Sequence, residues 1–267
     1  MDGNAVLDAQ HDWLGGEQVS PIVACSPDVH FAQHHCAVRT TGWRQSDVSD
    51  ARPKAPLLDV FYRRYLTDEN SANFVADISH HYTLATLARL LKLGSRATRR
   101  AATLAVSFLG DYRSNAILGR ALHDSDRVVR LLAENSIRDL WYRDGTDQQR
   151  HLLQKIIRFN NEERFGHASR EASRLIHDAD WFAEAWNQRA IAYFQLARYS
   201  ESIRDCRESM KRNPYHFAAA VGMGHCYLEM SDGLAALECF RWALQVNPGM
   251  ENVRAQVGYL QRSLEGK

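Results

Sequence analysis

A 34-residue period over the last third of the chain constrains its fold more than any other feature. Tyr193 and Tyr227, Ala190 and Gly224, Ser202 and Ala236, Ser209 and Ala243, and Asn213-Pro214 and Asn247-Pro248 all recur at that spacing. Each copy reads as two amphipathic helices joined by a short turn, a unit that cannot bury its apolar face alone. Stacked copies can, and the product is an elongated α-solenoid with a concave surface.

A second, 31-residue period precedes it. Leu87 pairs with Leu118, Leu91 with Leu122, Ala102 with Ala133, Val106 with Ile137 and Leu109 with Leu140, while Arg89/Arg120, Arg96/Arg127 and Arg99/Arg130 keep the same register. Upstream, Leu57–Leu66 places Leu57, Leu58, Phe61, Tyr62 and Tyr65 near one helical face, and a further helix is expected over about Ser71–Ile78. Gly94 and Gly110 read as helix stops, Ser95 as a cap, and Asp124 or Ser125 as the start of a helix running to Tyr142. Gly145 closes this block, and Thr146-Asp147-Gln148-Gln149 has the pattern of a capping box. No segment combines strand periodicity with turn signals at its ends, so the fold class is all-α: stacked antiparallel helical hairpins.

Residues 1–55 lack periodicity and end in the breaker cluster Ala51-Arg52-Pro53-Lys54-Ala55-Pro56, which reads as a largely disordered tail. The expected division is a tail over 1–55, one helical block over 56–145 and a second over 146–267. The tail holds Cys25, His30, His34, His35 and Cys36, but zinc sites use paired ligands two to four residues apart, twice over, and adjacent His34-His35-Cys36 do not fit. No metal and no cofactor are expected. The five cysteines form no C-x-x-C pair, and MDGNAVLDAQHDW lacks the basic and apolar regions of an export signal. No apolar run approaches the roughly 20 residues that span a bilayer. The expectation is a cytoplasmic chain with no membrane partner.

The 31-residue block, Gly94–Asp111 followed by His123–Trp141, resembles HEAT-like repeats of the short variety found in phycobilisome-lyase proteins. Asp126, Val129, Arg130 and Ala133 match that family's acidic residue, apolar–Arg pair and small residue. The resemblance implies Asp–Arg bonds along the stack. The 34-residue block resembles tetratricopeptide repeats. Gly224, Tyr227, Ala236, Phe240, Ala243 and Pro248 occupy signature positions in 217–250, as do Trp186, Ala190, Tyr193, Tyr199 and Pro214 in 183–216. A copy at 149–182 keeps Phe159, Phe165, Ala168 and Ala172 with Asp180 in place of proline, and Glu251–Leu264 reads as a polar capping helix.

By that resemblance the first helix of each hairpin lines a peptide-binding groove. The groove candidates are Arg150, Gln154 and Asn161 in the first copy, Asn187, Gln188 and Phe194 in the second, His225 in the third, and Gln256 and Tyr259 in the capping helix. Relatives that hold acidic chaperone tails carry cations at positions that here read Leu153, Ile157, Gln188, Ala218 and Gly222, so a carboxylate clamp is not expected. The implied role is a non-enzymatic scaffold or adaptor for a protein or peptide. No nucleophile elbow, phosphate loop or HExxH motif is present.

A nucleic-acid partner is the alternative. Between Arg89 and Arg143 there are eleven Lys/Arg and five Asp/Glu, although the whole chain carries a formal net charge of only +1. Arg89, Arg96, Arg120 and Arg127 are the candidates for a phosphate-binding face. A lyase-like helper of a chromophore protein rests on the repeat resemblance alone.

Overall fold

A computed structural model describes residues 56–266, and every described element is helical. The tail expectation and the Cys25–Cys36 cluster lie outside the described residues. Helices α1 (Leu57–Asp68) and α2 (Ser71–His81) form the first hairpin, and α3 (Leu84–Leu93) and α4 (Arg96–Leu109) the second. A 3₁₀ turn, Tyr112–Ser114, leads into α5 (Asn115–Ala121) and α6 (Arg127–Tyr142). Three further hairpins follow: α7 (Asp147–Asn161) with α8 (Phe165–Asp178), α9 (Ala183–Gln195) with α10 (Tyr199–Arg212), and α11 (Phe217–Glu229) with α12 (Gly233–Val246). The last helix is α13 (Glu251–Leu264).

Side-chain caps start most of the early helices. Asn70, Thr83, Ser95, Asp126 and Thr146 each accept the backbone N–H three residues on, and Gln149 completes the capping box with Thr146. Asp126, rather than Asp124 or Ser125, caps α6, its carboxylate accepting the Val129 N–H at 3.1 Å while also engaging Arg100. Gly94 ends α3 by turning extended rather than left-handed. A Cβ there would lie 2.6 Å from the Leu90 carbonyl oxygen.

The 34-residue period is visible in the backbone itself. The first helix of each hairpin ends with Arg164, Arg198 or Asp232 donating its N–H to the carbonyl of Phe159, Tyr193 or Tyr227. The residue before each donor, Glu163, Ala197 or Ser231, is left-handed, at φ 57°, 56° and 61°. This is a Schellman closure made without glycine. The second helices end at Ala179, Asn213 and Asn247, where each asparagine side chain accepts the N–H two residues on. Close approach within a hairpin depends on small residues: a Cβ on Gly224 would sit 2.5 Å from the Phe240 ring.

The two blocks do not stack end to end. Leu153, Ile156, Phe159, Ala168, Ala172, Leu175 and Phe182 make a separate small core for the α7–α8 hairpin. The main core instead joins Leu58–Trp141 directly to residues of α9–α13, including Ile191, Phe194, Phe217, Val221, Phe240 and Val253. The chain reverses around Gly145, whose φ is +78°, and the N-terminal block folds back past the first repeat onto the second and third.

Candidate functional site

The fold-back runs along one stripe of α6. Arg127, Glu134, Arg138 and Trp141 are spaced by seven, four and three residues, which puts them on one helical face. In order they meet Glu251 (3.8 Å), Gly249 (where a Cβ would lie 3.3 Å from the Glu134 carboxylate), the Phe217 ring (4.7 Å from the guanidinium) and the His216 ring (stacked at 4.1 Å). Alongside, Asn115 donates to Asn213 at 2.8 Å and accepts from the Trp141 indole at 2.9 Å. The Tyr215 ring fills the space where Gly119 has no side chain.

Beneath Trp141 lies a buried polar network. Glu184 and His216 are 1% and 0% exposed. His216 Nδ1 accepts the Ala219 N–H at 3.1 Å, so its proton sits on Nε2 and is donated to Glu184 at 2.9 Å. The other Glu184 oxygen accepts from Asn187 at 3.1 Å and Gln188 at 2.8 Å, and Asn160 donates to the Gln188 side-chain oxygen at 2.9 Å. A carboxylate in so dry a place is tolerated because three donors surround it.

The network decides where the groove candidates stand. Asn187, Gln188, Phe194 and His225 are all buried, between 3% and 6% exposed, so the middle of the expected surface is covered. Ile191, Phe194, Ala218 and Val221 belong to the main core. Gln154, Asn161 and Tyr259 are exposed, Gln256 is half-buried, and half-buried Arg150 donates to the Arg143 and Gly145 carbonyls and to Asp147. Neither Glu184 nor its partner His216 is among the groove candidates read from the sequence. The available signal was a polar residue immediately before α11, at the N-cap.

Arg89, Arg96, Arg120 and Arg127 are exposed. The other cations of that block are largely engaged within the fold. Arg99 is bidentate to Asp124 and Arg100 to Asp126, Arg130 donates to the Asp124 and Ser125 carbonyls, and Arg143 to the Ser107 carbonyl. The Arg100 guanidinium, together with the Val129 N–H, holds the Asp126 carboxyl down at about 2.

Cys206, Cys226 and Cys239 are buried on α10, α11 and α12. Burial raises the thiols of Cys226 and Cys239 to about 11 and that of Cys206 well above its ordinary value, so packing is their role at neutral pH. Among the described residues no group of three or more His, Cys, Asp or Glu is placed to hold a metal, and no helix is long and apolar enough to cross a membrane.

Comparison with known proteins agrees with the period. The chain is 32% identical over 74 residues to a small glutamine-rich tetratricopeptide repeat-containing protein of Dictyostelium discoideum. The match covers 28% of this chain and 22% of that protein, so the chain spans about a fifth of that relative's length. Among solved structures, the TPR2AB-domain:pHSP90 complex of yeast Sti1 aligns with 76% of this chain and 90% of that one, at 14% identity and a TM-score of 0.41. The tetratricopeptide repeat family profile matches residues 183–216, which are α9, α10 and the Asn213-Pro214 turn. Residues 183–216, one helical hairpin with its Asn213-Pro214 turn, are thus the stretch of the chain that matches the tetratricopeptide repeat.

Proposed function

We propose that this protein is a non-enzymatic adaptor that takes a peptide or a partner's surface along the first helices of its repeats. The observation that carries the reading is the 34-residue architecture, with helices that begin at Ala183, Phe217 and Glu251, the first two of which close through the same turn as α7. Gln154, Asn161 and Tyr259 are the exposed candidates on those helices, whereas Asn187, Gln188, Phe194 and His225 are buried. Exposed amides each contribute about 1 kcal/mol net in bonding a peptide backbone. Micromolar affinity, about −8 kcal/mol, is enough for an adaptor. Leu153, Ile157, Ala218 and Gly222 offer no cations, so the preferred peptide has mixed polar and apolar character.

In the same reading residues 56–145 are a HEAT-like block that supplies a second surface, and 146–267 carry the tetratricopeptide repeats. The Arg99–Asp124 and Arg100–Asp126 pairs support this, because they tie α4 to the segment entering α6 across the stack.

The test is capture from native lysate, with and without nuclease, comparing wild type with an N161A/Y259A variant. Both residues are exposed, so folding is expected to survive. A nuclease-resistant partner lost in the variant supports the adaptor. One observation favours nucleic acid as a second reading: Arg89, Arg96, Arg120 and Arg127 are all exposed. Neutralising about four phosphates would give a log–log salt slope near −3.6. A signal that disappears with nuclease and survives N161A/Y259A moves the function to that face.

A further inference from the structure

The three first helices that α6 meets begin at a constant interval. Ala183, Phe217 and Glu251 are each the first residue of their helix, 34 residues apart. Along α6, Arg127 lies against Glu251, Arg138 against Phe217, and Trp141 against His216, which bonds Glu184. From Arg127 to Trp141 the helix rises about 21 Å. Arg138 and Trp141 both meet the start of α11, Arg127 meets the start of α13 about 17 Å away along the axis, and α9 is tied in through the His216–Glu184 bond.

We propose that α6 is an internal brace that fixes the spacing of the first helices in three consecutive units, and that it is built to release at one end. The Trp141 end is anchored by a stacked His216, the buried Glu184 and the Asn115–Asn213 bond. The Arg127 end is held by an ion pair at 3.8 Å whose side chains are 84% and 76% exposed. Between the ends, Leu131 is 57% exposed, while Val129, Ala133 and Ile137 on the same helix are buried in the main core. An ordinary tetratricopeptide array stretches and twists because each unit touches only its neighbours. Here one rigid helix contacts several units at once, so the groove width is set at the α9 side and adjustable at the α13 side. A partner entering the groove is accommodated by movement of α12–α13 away from Arg127. That consequence rests on the adaptor reading above; the spacing itself does not.

The test is amide hydrogen exchange on the full chain without any partner, which separates failure of the brace from failure of the adaptor. Three variants are compared with wild type: R127E, the charge swap R127E/E251R, and R127E/R138A. Exposed pairs of this kind alter opening equilibria by about two- to five-fold at most. R127E is expected to speed exchange in Glu251–Leu264 by that factor, with the swap returning it to the wild-type rate. R127E/R138A is expected to extend the effect to Phe217–Glu229, leaving α3 and α4 at wild-type rates. Unchanged exchange in both α11 and α13 of R127E/R138A overturns the brace. So does acceleration spread evenly over α3 and α4, which would mean that the variants merely destabilise the whole fold.

Discussion

Replacing Glu184 with alanine removes the acceptor of three side-chain donors at once: His216 Nε2, Asn187 Nδ2 and Gln188 Nε2, at 2.9, 3.1 and 2.8 Å. Each buried donor that loses its acceptor costs about 1–3 kcal/mol. Water entering the vacated volume offsets part of this, leaving a loss of roughly 3–6 kcal/mol against a total stability of about 5–15 kcal/mol. For a chain of this size each kcal/mol moves Tm by about 2–4 °C, so a fall of roughly 6–24 °C is expected in thermal unfolding followed by far-UV circular dichroism. E184Q discriminates further. Its amide keeps one accepting oxygen, but its NH₂ faces a donor, and His216 can answer only by moving its proton to Nδ1. That move forfeits the Ala219 N–H bond at 3.1 Å. The expected cost is about one helix cap, near 1–2 kcal/mol. A Tm within about 3 °C of wild type for E184A would refute the network as described, because no arrangement of buried donors survives that loss so cheaply.

G119A should destabilise the junction by about 1–3 kcal/mol, because the new Cβ would lie 2.2 Å from the Tyr215 ring; urea unfolding measures it, and a neutral result would mean that the ring moves freely. A197G should stabilise by about 0.5–1 kcal/mol, since glycine relieves a left-handed φ of 56° at a modest cost in chain entropy, and a lower urea midpoint would contradict the strain. Asp126 has a folded pKa near 2, below its ordinary 3.8, so its contribution to stability is present above about pH 4 and is lost as the pH falls toward 2. In R100A that acid-limb loss should shrink, read from unfolding midpoints between pH 2 and 5.

Much of this architecture was legible in the residues. The 31-residue pairs are core positions: Leu87, Leu118, Leu122, Ala102, Ala133, Val106, Ile137 and Leu140 are all at 0% exposure. The Thr146–Gln149 box and the Asn-Pro turns were equally plain, because caps and turns depend on a few neighbouring side chains. The fold-back was not legible. Periodicity says that a helix has an apolar face but not which distant face will cover it, and the stripe Arg127, Glu134, Arg138, Trp141 mixes charge with one aromatic and carries no apolar signal. For the same reason Asn187 and Gln188, placed on the groove by position in the repeat, are engaged by Glu184, a partner three and four residues away that only geometry reveals. Arg99 and Arg100 are structural, each bidentate to an aspartate 25 or 26 positions later in the chain.

The unequal division of the core bears on how the chain reaches its native state. In a simple repeat array each unit is stabilised by the one beside it, and growth proceeds from whatever has already folded. Here the helices up to Trp141 share their core with Ile191, Phe217 and Val253, while the α7–α8 hairpin between them keeps its own. The Asn115–Asn213 bond closes a separation of 98 residues. During synthesis the N-terminal block therefore emerges long before the surface that completes it, and holds apolar area exposed until the third repeat has been made. Contacts of such range slow folding and leave intermediates open to association. Truncation after Asp178 should accordingly unsettle not only the adjacent hairpin, which loses Phe182, Ala185 and Ala192, but also α5 and α6, whose partners Asn213, His216 and Phe217 lie beyond the cut.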